Sequence, residues 1–252
     1  MHTNDRVWSD RELDDPHGAA DKARRVRRMF AAIAPRYDLN NRLHSLGRDQ
    51  AWRRAAVKMA KLRRGEHVLD VACGTGDLAM AFAASGAGSV VGADFTFDML
   101  AIARRKTKSL SAGAPHYHAG DALRLPIKDH AVDVVSIAFG IRNVVNPAVA
   151  ISEFYRVLRP GGRLVILEFA MPANPLLRCL YNGYFQHVMP RTAALIARDR
   201  SGAYRYLPRS VSTFIGRSAI LSMMQDAGLT DTATRSLSLG IATLYFGVKQ
   251  AG

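Results

Sequence analysis

Short apolar runs punctuate the middle of the 252-residue chain at about 67–71, 89–93, 115–119, 132–138 and 163–169. Most are separated by stretches whose apolar residues recur every three or four positions, notably 77–84, 97–108 and 147–158. Short strands alternating with amphipathic helices predict a mostly parallel sheet with helices on both faces. RPGGR at 159–163 ends one helix and turns the chain into the strand LVILEF. Upstream, DKARRVRRMFAAI at 21–33 and RDQAWRRAAVKMAKL at 48–62 read as helices, the second entered through the turn SLGRD. After Met171 the alternation breaks. Residues 174–206 are aromatic- and arginine-rich with a helical pattern interrupted by Pro190, and a helix at 217–227 precedes two β-rich runs, LTDTATRSLSL and IATLYFGVK. Gly240 between these runs reads as a hairpin turn, which makes the last two strands antiparallel. Seven strands ending in an antiparallel hairpin depart from the usual two-halved dinucleotide fold.

Composition adds limits. With 48% apolar and 22% charged residues the chain can bury one sizeable core, and we read 21–252 as a single domain. Residues 1–20 are charged and lack apolar periodicity, so they read as a disordered tail. No run of 18 apolar residues is present and the N-terminus lacks an apolar segment, which argues against a membrane span or a secretory signal. Only Cys73 and Cys179 occur, which fits a reducing, cytoplasmic compartment. The formal net charge of +14 is unevenly placed: −3 over 1–20, +11 over 21–64, zero over 65–170 and +6 over 171–252. Basic flanks around a neutral block suit a polyanion, either nucleic acid or an anionic membrane surface, or form a merely solvated face.

The chemistry concentrates in VLDVACGTGD at 68–77. A strand runs into a glycine turn and then a helix, and Gly74, Thr75 and Gly76 open a G-x-G-x-x-A pattern with Asp94 ending the next strand. A nicotinamide enzyme would show the same features. Asp70 and Asp77, however, flank the turn where a diphosphate would sit, and like charges about 4 Å apart cost roughly 4 kcal/mol at an effective dielectric near 20. A ligand with a cationic centre, an ammonium group and no phosphate escapes that repulsion, and S-adenosylmethionine has those properties. Its carboxylate would take the N–H groups of the turn, with Asp70 near the cationic end. Asp94 would accept from the ribose hydroxyls, and Asp121 beside Ala122 would reach the adenine amino group. Three acids at successive strand ends converge on one crevice; taken singly, each could equally cap a turn.

VLDVACGTGDLA, VVGADFTFDML, AGDALRLPIKDHAVDVVSIAFGIRNV and YRVLRPGGRLVILEF resemble the successive motifs of class I S-adenosylmethionine-dependent methyltransferases, which implies a Rossmann-like sheet. IAPRYDLNNRLHSLGRDQAWRR at 33–54, ARDRSGAYRYLPRSVSTF and MMQDAGL narrow the resemblance to the quinone C-methyltransferases that act on demethylmenaquinone and on the 2-polyprenyl benzoquinol of ubiquinone synthesis. The match runs from about residue 26 to the end. It implies cofactor contacts at Phe95 and Ala138 as well as at Asp70, Gly74, Thr75, Gly76, Asp94, Asp121 and Ala122. Some members of that family carry serine where this chain has Ala138 or Ala170, and often a histidine near Asp49.

Methyl transfer to a ring carbon needs an electron-rich quinol, help in removing a phenolic proton, in-line geometry and exclusion of water. It needs no metal, and His116 and His118 lack a third ligand in the sequence. AFGIRNV after the fourth strand offers Phe139, Arg142 and Asn143: Arg142 to stabilise a phenolate or order a water, Asn143 to orient the ring. Arg142 is too firmly charged to be a direct base, and a structural salt bridge is its alternative role. Segments 21–64 and 174–214 read as a helical lid. There Tyr37, Tyr181, Tyr184, Phe185 and Tyr204 would line a slot for the ring and its isoprenoid tail, although aromatics at helical spacing also serve as plain core. Trp52 and Cys73 read as packing residues. The expected partners are a prenylated quinol, demethylmenaquinol ahead of the benzoquinol, and an anionic membrane surface at the cytoplasmic face of the inner membrane. No nucleic acid is expected, since AFGIRNV lacks the [DN]-P-P-[YF] clamp of many RNA and DNA amine methylases. The oligomeric state, a homodimer included, stays open.

Overall fold

The structure, a computed structural model, describes residues 7–108, 110, 113–189, 191–193 and 202–251. Seven strands form one sheet: β1 His67–Val71, β2 Ser89–Asp94, β3 His116–Ala119, β4 Val132–Ala138, β5 Leu158–Phe169, β6 Leu229–Leu237 and β7 Ala242–Lys249. Their order is β3-β2-β1-β4-β5-β7-β6. The first five are parallel, and β7 runs antiparallel to both β5 and β6. The central strands β1, β4 and β5 read as near-continuous apolar runs because both faces are covered. Val68, Val134, Val165 and Leu167 point to one core, while Leu69, Val71, Val135, Ile137, Leu164 and Ile166 point to the other.

Helices α4 Arg48–Met59, α5 Asp77–Ala84 and α6 Phe97–Thr107 cover the first face. The second is covered by α7 Pro147–Val157 and by a helix at Arg217–Asp226. The turn expected at RPGGR lies within β5 as a register jump: Val132 pairs with Leu158 and Val134 with Arg163, with Gly161 at φ 76° between them.

A third apolar cluster lies over the C-terminal ends of the parallel strands. It is built from α1 Asp10–Asp14, α2 Lys22–Ile33, α3 Tyr37–His44, α8 Pro175–Gly183 with a π turn at Tyr184–Val188, and α9 Ala203–Ser212; the helix at Arg217–Asp226 is then α10. Residues 7–20 correct the expectation of a disordered tail. Val7, Trp8 and Leu13 are buried, Trp8 stacks on Tyr206 at 4.7 Å, and Arg25 bonds the Val7 carbonyl and Glu12. The charge of this segment hid three apolar anchors. The α3 helix continues a 3-10 turn at Ala34–Arg36. The break expected at Pro190 lies outside the described residues.

Candidate active site

The turn after β1 bends through left-handed backbone at Ala72 (φ 49°), Gly74 (56°) and Gly76 (82°). Gly76 is required twice over, since a β-carbon there would also stand 2.3 Å from the Tyr117 hydroxyl. Asp94 holds the turn: one carboxylate oxygen accepts from the Gly74 N–H (2.9 Å) and the other from the Thr96 N–H (2.8 Å). Burial pushes its carboxyl above the usual range while these amides pull it back. Asp121 likewise accepts from the Leu123 N–H (2.9 Å). Both acids therefore cap turns and also line a crevice with Gly74, Phe95, Ala122 and Ala138. Each carboxylate oxygen retains a lone pair for a ligand.

The other three residues predicted for the cofactor shape the turn from behind. Gly76 is packed on Tyr117, and the Thr75 hydroxyl donates to Asp38 (2.6 Å). Asp70 is buried, accepts from the Ser136 hydroxyl (2.8 Å) on one oxygen and has no partner on the other. Burial pushes its pKa up to about 7, with Ser136 opposing. The expectation that Asp70 and Asp77 both repel a diphosphate needs correction. Asp77 forms an ion pair with Lys106 and accepts from Gln50 (2.9 Å). Burial raises its carboxyl, but the Lys106 ammonium outweighs that and holds it below the usual range.

The crevice holds about 100 Å³ and is closed from above by Ala23, Val26 and Phe30 of α2. Sites for drug-sized ligands span about 300–1,000 Å³, so the crevice in this conformation is smaller than such a site. Lys22 pins that helix: its ammonium donates to the Arg142 (3.0 Å) and Val144 (2.7 Å) carbonyls. Burial and then the Arg142 charge lower the Lys22 pKa to about 8.

A second, larger cavity of about 490 Å³ lies between the sheet and the upper helices. Tyr37, Phe139, Tyr181, Tyr184, Phe185 and Tyr204, all predicted from sequence, line it. Trp52, expected only to pack, is also part of this wall, tilted against Phe139 and Phe169 at about 6 Å. Phe139 and Tyr37 line both spaces, so they form the partition between them. Phe139 sits at φ 56°, a strained setting for an aromatic residue. Its N–H donates to the Leu167 carbonyl (2.7 Å), and its own carbonyl accepts from Arg142 (2.7 Å) and Asn143 (3.3 Å).

Arg142 realises the salt bridge named as its alternative, buried against Glu168 at 2.6 Å, and it also lines the larger cavity. The Arg142 Nε–H has no partner. Asn143 lines the crevice and accepts from the Tyr206 hydroxyl (2.9 Å). Two further lining residues each bury a polar atom without a partner among the described residues, Tyr181 Oη and His44 Nε2; the other His44 nitrogen meets the Tyr184 hydroxyl at 3.0 Å. Sequence reasoning missed Glu168, Tyr206, Lys22 and His44. For Glu168 the signal was available, as a lone carboxylate inside the apolar strand LVILEF.

This arrangement provides a crevice with two carboxylates at a topological switch point, a larger apolar cavity and a shared aromatic wall. It can bring a nucleoside-like donor against an apolar ring compound. Comparison with known proteins agrees. The sequence model of the ubiE/COQ5 methyltransferase family matches residues 19–249. The demethylmenaquinone methyltransferase of Deinococcus radiodurans is 46% identical over 233 residues, covering 91% of this chain and 95% of that one. The ubiquinone/menaquinone biosynthesis C-methyltransferase UbiE of Geobacter sulfurreducens is 45% identical, covering 91% and 90%. Among solved structures, a SAM-dependent methyltransferase from Thermotoga maritima shares the fold, with a TM-score of 0.60 at 20% identity over 88% of this chain and all of that one.

Proposed function

The chain belongs to the ubiE/COQ5 methyltransferase family, and from that premise we propose that it methylates a ring carbon of demethylmenaquinol. The enzyme is an S-adenosylmethionine-dependent C-methyltransferase of menaquinone and ubiquinone synthesis. Among the two quinols, demethylmenaquinol is favoured by the relative from Deinococcus radiodurans, named for that substrate alone. The polyprenyl benzoquinol is the second reading, favoured by the relative named for both pathways. The observation that carries the proposal is the apolar cavity of about 490 Å³ set against the crevice across Phe139.

S-adenosylmethionine, when bound, supplies a methyl group on a cationic sulfur. Its place is the crevice, where Asp94 and Asp121 offer acceptors to hydroxyl and amino groups and Ala138 leaves room. Asp70, behind the turn, offers an unpartnered oxygen toward positive charge. The quinol ring lies across Phe139 and Tyr37 with its reacting carbon toward the crevice. The Arg142 guanidinium, held beside the cavity by Glu168, stabilises the developing phenolate with its positive charge. The other oxygen lies on the side of the cavity lined by Tyr181 and His44. The new carbon–carbon bond forms as the sulfur–carbon bond breaks. The phenolic proton passes to water, and loss of the ring hydrogen with reprotonation of the oxygen restores the quinol. Asn143, held by Tyr206, orients the ring edge.

In the same reading residues 21–252 act as one domain, with 21–64 and 174–214 as its lid except for α4, which packs on the sheet. The protein works peripherally at the cytoplasmic face of the inner membrane, where the +11 of 21–64 meets anionic lipid. The test is turnover of demethylmenaquinol with labelled S-adenosylmethionine. Methylated quinol should form in the wild type, and Arg142→Ala should lose about a hundredfold or more in kcat. An unchanged kcat in Arg142→Ala would remove that residue from the mechanism. Turnover of the benzoquinol alone would reassign the substrate.

A further inference from the structure

The larger cavity opens to the surface between two leucines. Leu46, between α3 and α4, is 88% exposed, and Leu239, between β6 and β7, is 76% exposed; both belong to the cavity rim. Both also have left-handed backbone, at φ 51° and 59°. That conformation costs a residue with a β-carbon roughly 1–2 kcal/mol, and glycine or asparagine usually takes it. An exposed leucine gains nothing from water either. Two residues so unfavourable in the isolated molecule, at one mouth, point to something outside the chain.

The surroundings extend the pattern. Leu176, Leu180, Tyr184 and Val188 recur at every fourth position along α8 and the π turn, all exposed, the first two at 70% and 64%. On α3, Leu39 and Leu43 are exposed one turn apart, just before Leu46. The His44–Tyr184 contact joins the two elements, so both stripes border the same mouth. Exposed arginines accompany these segments, Arg42 on α3, Arg48 at the start of α4 on the cavity itself, Arg178 on α8 and Arg191 beyond the π turn, while residues 170–193 contain no carboxylate. The lone acid of 36–48, Asp38, is paired with Lys106. An apolar patch ringed by cations fits the headgroup and acyl boundary of an anionic bilayer. A second copy would set one basic rim against another.

We propose that this face is an interfacial docking surface, with Leu46, Leu239 and the α8 leucines entering an anionic bilayer and the cavity mouth held at the depth of the acyl chains. The proposal rests on the quinol reading, because a tail dissolved in lipid explains why the mouth lies inside the patch.

Co-sedimentation of the full-length protein with phosphatidylglycerol–phosphatidylcholine vesicles tests it. The variant is Leu176→Ser/Leu180→Ser, both positions lying outside the cavity wall. We expect wild-type protein to partition onto these vesicles and the variant to bind about tenfold more weakly or worse. Both should turn over a tail-less naphthoquinol equally, whereas the variant should lose turnover of the vesicle-embedded prenylated quinol. Equal partition of the two proteins overturns the proposal. So does a wild-type dimer in sedimentation velocity that the variant dissociates, which would assign the face to a second copy. Leu46→Asn/Leu239→Asn should bind vesicles less while keeping or raising the thermal midpoint; a lowered midpoint would give those leucines to the fold instead. If wild-type enzyme fails on the tail-less quinol, the chemical reading falls, and vesicle binding still decides the surface.

Discussion

Arg142 and Glu168 face each other at 2.6 Å, both buried. Glu168→Gln leaves the guanidinium charged and unpaired, so unfolding by denaturant should show a loss of about 3 kcal/mol; an unchanged midpoint would mean the pair is open to solvent. Asp70 adds a dependence on pH. Its folded pKa of about 7 stands above its unfolded one, so the native state holds more protons between the two values. Its stabilising share is complete below the unfolded pKa and is lost as pH rises through about 7, by at most about 1.4 kcal/mol per pH unit. Asp70→Asn should flatten that part of the stability curve, measured from pH 5 to 8; an unaltered curve would assign the slope to other groups. The acids at strand ends were legible in the sequence because strand, turn and helix are contiguous there. The pairs Arg142–Glu168 and Asn143–Tyr206 were not, since 26 and 63 residues separate their partners and only the folded sheet brings them together.

Helix α2 closes the crevice through Val26 and Phe30, and Lys22 fastens it to the loop after β4. Lys22→Met removes both bonds to that loop. Amide exchange across 22–33 should accelerate, and KM for S-adenosylmethionine should change more than kcat; unaltered exchange would show that apolar packing alone holds the helix. The seven strands and α5, α6 and α7 could be read from periodicity, because each has a covered face that its pattern reports. Other elements hid for physical reasons. The segment before α2 is too charged to show its three anchors, and α3 exposes Leu39 and Leu43, so its pattern does not report a buried face. The π turn at Tyr184–Val188 follows from no local residue preference.

For the molecule as a whole, the proposed docking gives the two basic flanks and the leucine stripes separable contributions to vesicle binding. Raising salt from 0.1 M to 1 M shortens the Debye length from about 10 to about 3 Å. The vesicle-bound fraction should fall without vanishing, since the leucines remain; complete release would leave charge as the whole of the attraction. Charge placement was plain in the sequence, whereas the mouth was not, because Leu46 and Leu239 lie 193 positions apart and look like ordinary turn-flanking leucines. The partition at Phe139 then bears on how the enzyme cycles. Under the proposed docking, the donor crevice and the lipid-facing cavity lie on the two sides of Phe139. That separation would let the protein reload many times during a single stay on the bilayer, working like a ferry that refuels without leaving the river. Tethering it permanently to vesicles should leave its steady-state rate intact, and dilution after one landing should still yield many product molecules.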